Sequence, residues 1–217
     1  MINILCYGDS NTFGCRPEQH SERLAEHERW TGRLQTLLGG GYRVLEAGLN
    51  GRTTVFEDQM VPGRNGAALL QPTLESNRPL DLVILMLGTN DAKRRFGATA
   101  YDIARGMERL VQMVQQYPCG STAGQPPLVL LLSPVHMLDC ALDAPLGESF
   151  GPEGIATIRR LAPYYAKVAE RYGCVFADAS LWAQAGSADG IHMDAKNHAA
   201  FAQHAANLIR SLFASAK

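Results

Sequence analysis

The chain has 217 residues, of which 46% are hydrophobic and 19% charged, and its formal net charge is −1. These values exclude intrinsic disorder and are typical of a globular protein with one substantial core. The near-neutral charge, with basic residues scattered along the chain, argues against a general affinity for nucleic acid or for anionic membrane surfaces. We therefore expect a single domain that spans residues 1–217.

Two further features of composition bear on the compartment. The first nine residues, MINILCYGD, lack the basic leader and the long apolar run of a signal peptide, and no later run approaches the roughly 18 residues of a membrane span. The five cysteines are odd in number, widely spread and form no Cys-x-x-Cys pair, which favours reduced thiols. We expect a cytoplasmic protein without membrane contact.

Strands and helices are predicted to alternate along the chain. Strands are predicted at five short apolar runs, residues 2–7, 43–47, 81–87, 128–133 and 174–177. Helices are predicted at 30–38 and 67–75 and, from longer helical faces, at 103–114, 158–172 and 201–212. A capping box, Thr99-x-x-Asp102, precedes the first of these longer faces. The alternation predicts a doubly wound α/β fold, with a parallel sheet of about five strands and helices on both faces.

Residues 134–153 interrupt this pattern. They contain three prolines and show weak periodicity, so we predict a long loop after the fourth strand. Loops of this length in compact domains are often binding loops or lids, and a contact between subunits or a neutral insertion is an equal alternative.

The ends of the first three strands carry residues that suit acyl chemistry. Ser10 follows the first strand in Gly-Asp-Ser, where a hydroxyl can be exposed at the start of a helix. Gly51 follows the second strand, and its backbone N–H can approach a ligand closely. Asn90 follows the third strand, where its amide could donate to a developing oxyanion. Taken alone, each of these motifs is read more simply as an ordinary cap or turn.

A histidine follows the last strand in Asp189-Gly-Ile-His192. This spacing lets one turn bring the carboxylate to Nδ1 of the imidazole and leaves Nε2 free as a base. We interpret the other five histidines, His20, His27, His136, His198 and His204, as polar surface residues. The six-residue spacing of His192, His198 and His204 does not place them on one helical face, so we predict no metal site.

Carboxyl ends of parallel strands gather at one edge of a doubly wound sheet. Ser10, Gly51, Asn90 and the Asp189–His192 pair would therefore meet there. Together they would supply a nucleophile, two oxyanion donors and an oriented base. The combination is far more specific than any of its parts.

This set of residues resembles the SGNH hydrolases, also called GDSL esterases. Ser10, Gly51, Asn90 and His192 match the four motifs of that family in order, with Asp189 completing a triad. The resemblance implies a flavodoxin-like three-layer α/β/α sandwich. It also implies an oxyanion hole built from the backbone N–H groups of Ser10 and Gly51 and the Asn90 amide.

Further segments resemble the arylesterase/acyltransferase branch of the family, namely residues 29–32, 50–54, 65–67, 87–91 and 189–192. Asn11 departs from the leucine that the family name implies, at a position to which we assign no chemistry. Members of this branch are often oligomers, so the resemblance raises self-association as an expectation.

The expected function is that of a serine esterase, which cleaves small acetyl or aryl esters, or transfers their acyl group to an alcohol, without a metal or organic cofactor. Its partner would be a small-molecule ester. A carbohydrate O-deacetylase is an alternative within the enzymes, and a catalytically silent binding module is an alternative outside them. Phosphate binding at the Gly8–Ser10 turn ranks lower, because neither a P-loop nor a Gly-x-Gly-x-x-Gly motif is present.

Overall fold

A computed structural model describes residues 1–214, and its centre is a five-stranded parallel sheet. The sheet strands are β1 (Ile2–Gly8), β4 (Tyr42–Gly48), β5 (Leu82–Met86), β6 (Leu128–Ser133) and β7 (Val175–Asp178), in the spatial order β4-β1-β5-β6-β7. Two short strands outside the sheet, β2 (Cys15–Arg16) and β3 (Gln19–Arg23), form an antiparallel hairpin.

Helices cover both faces of the sheet. The α-helices are α1 (Ser10–Phe13), α2 (Trp30–Leu38), α3 (Gly66–Asn77), α4 (Ala100–Gln116), α5 (Gly151–Ile158), α6 (Leu161–Tyr172) and α7 (Ala195–Ala214). One apolar core lies between the sheet and α3, α4, α5 and α6, and the second lies between the sheet and α2 and α7. The predicted α/β fold with a three-layer α/β/α arrangement is therefore confirmed.

Most predicted elements lie where the sequence places them. The strand at 128–133 and the helix at 30–38 have the predicted bounds, and the Thr99–Asp102 capping box begins α4. The helix predicted at 158–172 is confirmed from Leu161 to Tyr172, but its predicted start is wrong, because α5 ends at Ile158 and α6 begins at Leu161. Pro163 explains the break: it lacks an N–H and is tolerated in the first turn of a helix but not in its interior.

Residues 134–153 are more ordered than the predicted loop. They contain two short 3-10 turns, and α5 begins within them at Gly151. Val135, Met137 and Phe150 are buried in the two cores. These buried apolar side chains anchor the segment, although they are too few and too unevenly spaced to reveal an element in the sequence.

The register of the sheet positions the candidate residues. Gly8 of β1 pairs with Gly48 of β4 and with Met86 of β5, so these three strands end at the same level. The segments that carry Ser10, Gly51 and Asn90 therefore leave the sheet side by side. Over residues 1–214 we find no helix that combines the length and the apolarity needed to cross a membrane.

Candidate active site

Ser10 lies at the start of α1, directly after β1. The side chain of Asp9 caps this helix by accepting a hydrogen bond from the Asn11 N–H at 3.0 Å. Burial raises the pKa of Asp9, and the hydrogen bond from Asn11 and the nearby His192 oppose that effect. The capped turn fixes Ser10 at the floor of a cavity.

Ser10, His192 and Asp189 form one chain of hydrogen-bonding atoms. Oγ of Ser10 lies 2.9 Å from Nε2 of His192, and Nδ1 of His192 lies 2.5 Å from Oδ2 of Asp189. The side chains of His192 and Asp189 are only 6% and 3% exposed. Because an ionised carboxylate only accepts hydrogen bonds, Nδ1 carries a proton, and Nε2 of the neutral ring can accept one from Ser10.

The turn between Asp189 and His192 holds this geometry. Oδ1 of Asp189 accepts hydrogen bonds from the backbone N–H groups of Ile191 at 2.8 Å and His192 at 2.9 Å. Burial raises the pKa of Asp189, but the hydrogen bonds from His192 outweigh it and leave the pKa below its ordinary value. Burial lowers the pKa of His192, but interactions with Asp189 and Cys15 outweigh it and raise the pKa to about 9.

A second histidine, His20, reaches the same carboxylate. Its Nε2 lies 2.9 Å from Oδ2 of Asp189, and its ring centroid lies 5.4 Å from that of His192. His20 is therefore part of the site, although its side chain is still 36% exposed. The interpretation of His198 as a surface residue is wrong, because His198 is fully buried and accepts a hydrogen bond from the Trp30 N–H at 3.2 Å.

The sequence did not predict His20 as a site residue because of the strand that carries it. The β2–β3 hairpin was not predicted, since β3 is a polar and mostly exposed strand without apolar alternation. The hairpin also brings Cys15, a buried residue, to the cavity wall. No local signal in the sequence marks either residue as part of the site.

His20, Asp189 and His192 are also the one group of metal-ligand side chains found among residues 1–214. Their ligand atoms lie within 4.8 Å of one another. The hydrogen bonds between these atoms account for the spacing, because the carboxylate oxygen is shared by the two rings.

Gly51 and Asn90 face the same cavity as Ser10. Gly51 has a φ of 79°, a left-handed conformation that favours glycine, and its N–H makes no hydrogen bond within the described part of the chain. Nδ2 of Asn90 donates to the backbone carbonyl of Arg52 at 3.1 Å. This bond fixes the amide plane and leaves the second N–H of Nδ2 available to a ligand.

Arg52 joins the strand ends beneath the site. Its guanidinium donates to the carbonyls of Gly8 at 2.8 Å and Ala47 at 2.5 Å, and it lies 4.0 Å from the ring centroid of Tyr7. Burial lowers the pKa of Arg52. Because Arg52 follows Gly51 directly, these contacts fix the position of the glycine relative to β1.

Asn11 links the Ser10 helix to the His192 turn. Its Oδ1 accepts a hydrogen bond from the Met193 N–H at 2.8 Å, and its Nδ2 donates to the Ile191 carbonyl at 3.4 Å. The side chain is buried. A position without evident chemistry in the sequence therefore spans the two segments that carry the serine and the histidine.

The cavity above these residues has a volume of about 380 Å³. Leu146, Ser149 and Phe150, from the segment 134–153, form part of its wall. The same segment packs on the Asp189–His192 turn: the Leu138 N–H donates to the Gly190 carbonyl at 2.8 Å. A Cβ on Gly190, whose φ is 69°, would lie 2.5 Å from the Ala141 nitrogen, so only glycine fits this contact.

Comparison with known proteins gives the family. The model of the GDSL-like lipase/acylhydrolase family matches residues 6–200. The chain belongs to this family. A search of the curated proteins found no match.

Solved structures of this family are similar over nearly the whole chain. The native aryl esterase of M. smegmatis is 38% identical, with a TM-score of 0.91 over 98% of this chain and 100% of that one. A carbohydrate acetylesterase family member from Sinorhizobium meliloti is 35% identical, with a TM-score of 0.90 over 97% and 98% of the two chains. Est24, a carbohydrate acetylesterase from Sinorhizobium meliloti, is 34% identical, with a TM-score of 0.90 over 98% and 100%. The family and these neighbours support ester hydrolysis as the activity of this GDSL hydrolase.

Proposed function

We propose that this GDSL hydrolase is a serine esterase that acts on small acyl esters through an acyl-enzyme. The observation that carries the proposal is the continuous contact from Ser10 through His192 to Asp189 at the floor of a cavity. The roles assigned below to Ser10, Gly51, Asn90, Asp189 and His192 are part of this proposal.

In the acylation step, Oγ of Ser10 attacks the ester carbonyl carbon while Nε2 of His192 takes the hydroxyl proton. The carbonyl oxygen becomes an oxyanion, and the N–H groups of Ser10, Gly51 and Asn90 stabilise it. Asp189 holds the imidazole in the required tautomer and stabilises its protonated form. The intermediate then collapses, and His192 returns the proton to the departing alkoxide.

In the second step, water or an alcohol attacks the acyl-enzyme. His192 removes the proton of the attacking molecule and returns a proton to Oγ of Ser10. Water gives the free acid, and an alcohol gives a new ester. Neither step calls for a metal or an organic cofactor.

The size of the cavity supports small acyl esters as substrates. Its volume of about 380 Å³ lies at the lower end of the range for small-molecule sites. The similar structures are named as aryl esterase and carbohydrate acetylesterase, so aryl acetates and O-acetylated sugars are the two substrate classes to compare. The test is kcat/KM over a panel of aryl, alkyl and acetyl-sugar esters. The proposal predicts turnover of at least one class, and a purified protein inactive on all of them would contradict it.

The wall formed by the segment 134–153 supports a second activity, acyl transfer. Apolar side chains such as Leu146 and Phe150 reduce access of water to the acyl-enzyme, which lets an added alcohol compete. The test supplies an aryl acetate with a primary alcohol and compares ester formed with acetate released. A ratio no higher than the alcohol-to-water ratio, corrected for intrinsic nucleophilicity, would leave a plain hydrolase.

A matched pair of variants isolates the wall. Leu146 and Leu142 are 39% and 40% exposed in the same segment, but only Leu146 lines the cavity. Leu146→Ser should shift the partition towards hydrolysis, whereas Leu142→Ser should leave it unchanged. If the ratio of ester formed to acetate released were the same in the two variants, Leu146 would not be the cause of acyl transfer.

A further inference from the structure

The cavity above Ser10 carries more positive than negative side chains. Arg64, Lys93 and Arg95 line it, and Asp58 is the one carboxylate among its lining residues in the described chain. Asp58 is already engaged: its Oδ2 accepts from Arg95 at 2.7 Å, and its Oδ1 accepts from the Met60 N–H at 3.0 Å. The Arg95–Asp58 pair therefore contributes little net charge. The positive charge of the cavity comes from the other two basic residues, Arg64 and Lys93.

Arg64 lies over the Gly51 turn. A Cβ built on Gly51 would be 3.5 Å from Cδ and 3.6 Å from Nε of Arg64, so the guanidinium stem covers the glycine. Within residues 1–214, no carboxylate oxygen lies within 4.0 Å of a guanidinium nitrogen of Arg64. Its charge is therefore available beside the predicted oxyanion donor.

Lys93 also lines the cavity and lies one short turn after Asn90. Its backbone N–H donates to the Asn90 carbonyl at 3.2 Å, and its Nζ lies 5.7 Å from the ring centroid of Phe150. Burial, aided by Arg95, lowers the pKa of Lys93 to about 8, although Asp58, Asp9 and Asp91 oppose the shift. None of these carboxylates forms an ion pair with Nζ in the part of the chain described.

A half-buried ammonium without an ion-pair partner is costly, and a bound anion would offset that cost. A guanidinium and an ammonium that flank one cavity form a recognition site for a carboxylate or phosphate. We propose that the substrate of this site is an ester that carries a negatively charged group, held between Arg64 and Lys93. This inference rests on the proposed esterase function and specifies its substrate class.

The test compares matched charged and neutral esters. With the charge on the alcohol side, the pair is para-acetoxybenzoate and its methyl ester; with the charge on the acyl side, it is an aryl hemiadipate and the aryl hexanoate. In at least one pair, kcat/KM should favour the anion by about 10- to 100-fold, as expected for hydrogen bonds between charged groups. The pair that shows the preference identifies which part of the ester carries the charge.

Variants assign the preference to its residues. Arg64→Gln and Lys93→Met should each reduce the charged-to-neutral ratio of kcat/KM. Arg94→Gln is the matched control. Arg94 is adjacent to Lys93 in the sequence, but it does not line the cavity and it pairs with Glu153. Added salt should reduce the preference in the wild type, since it screens these partly exposed charges.

A binding measurement separates this inference from the esterase proposal. In at least one of the two pairs, Ser10→Ala protein should bind the anionic ester more tightly than its neutral counterpart in a calorimetric titration, whether or not the wild type turns either ester over. Equal binding within both pairs, kcat/KM ratios near one in both pairs, or a preference that survives in both Arg64→Gln and Lys93→Met would overturn the inference. Hydrolysis of the neutral esters with a ratio near one would leave the esterase proposal standing.

Discussion

His20 and His192 bind the same oxygen of one carboxylate. Nε2 of His20 lies 2.9 Å and Nδ1 of His192 lies 2.5 Å from Oδ2 of Asp189. Each bond draws negative charge from the oxygen that supports the other ring. We therefore expect His20 to moderate how strongly Asp189 raises the pKa of His192.

This arrangement predicts the pH dependence of the reaction. The protonated His192 ring cannot accept the Ser10 proton, and its pKa is raised from 6.5 to about 9, so kcat/KM for a neutral ester should still rise between pH 7 and pH 8. His20→Ala removes one hydrogen bond from Asp189, so the pKa of His192 should rise further. The rising limb should move to higher pH by about 0.5–1 unit, the equivalent of about 1 kcal/mol.

His27→Ala is the control for this experiment, because His27 is an exposed histidine outside the cavity. A rising limb that stays in place, or moves to lower pH, in His20→Ala would show that His20 does not act on His192 through Asp189.

Asp189→Asn should reduce kcat by roughly 10⁴-fold while leaving the fold intact, because the amide favours the wrong tautomer of His192. Two other carboxylates lie at or after the end of the last strand, and each accepts hydrogen bonds from groups other than His192. Asp178 accepts from the Ser133 hydroxyl at 2.8 Å, and Asp194 accepts from the Asn197 N–H at 2.8 Å. Near-normal kcat in Asp189→Asn, together with a large loss in Asp178→Asn or Asp194→Asn, would move the role to that other residue.

Asn90→Ala should lower kcat by about 10²–10³-fold with a smaller effect on KM, because in the proposed mechanism its second N–H acts mainly on the oxyanion of the transition state. Steady-state kinetics on a neutral aryl acetate measure both constants, and a melting curve checks that the fold is retained. A change in KM alone would assign Asn90 to substrate binding.

Asn11→Leu should lower both stability and kcat. It leaves the buried Met193 N–H without its acceptor, which costs about 1–3 kcal/mol in the free energy of unfolding. Since Asn11 also holds the His192 turn against α1, kcat should fall with stability. Urea unfolding and kinetics on the same preparation measure the two effects. If neither the free energy of unfolding nor kcat changed, the hydrogen bonds of Asn11 would contribute to neither stability nor catalysis.

The sequence could predict the fold because its signals are local. The apolar run at 128–133 and the Thr99–Asp102 capping box specify their elements without reference to the rest of the chain. Ser10, Gly51, Asn90 and Asp189–His192 are equally readable, since each follows a predicted strand and parallel strand ends meet at one edge.

The remaining features depend on contacts between distant segments. His20 reaches Asp189 across 169 positions on a polar hairpin, and Asn11 reaches Met193 across 182. Arg64 and Lys93 line one cavity only once the β4–α3 and β5–α4 connections have folded around it. No spacing rule encodes such pairs, so a single sequence does not reveal them.

The central claim is that Ser10 is the nucleophile, and covalent labelling tests it most directly. Wild-type protein treated with a fluorophosphonate probe should carry one adduct, located by peptide mass spectrometry on Ser10. Ser10→Ala should remain unlabelled and keep less than about a hundredth of wild-type kcat. Ser149→Ala, which removes the other serine hydroxyl that lines the cavity, should label normally. An adduct on a different residue, or a Ser10→Ala protein that is still labelled and active, would contradict the account.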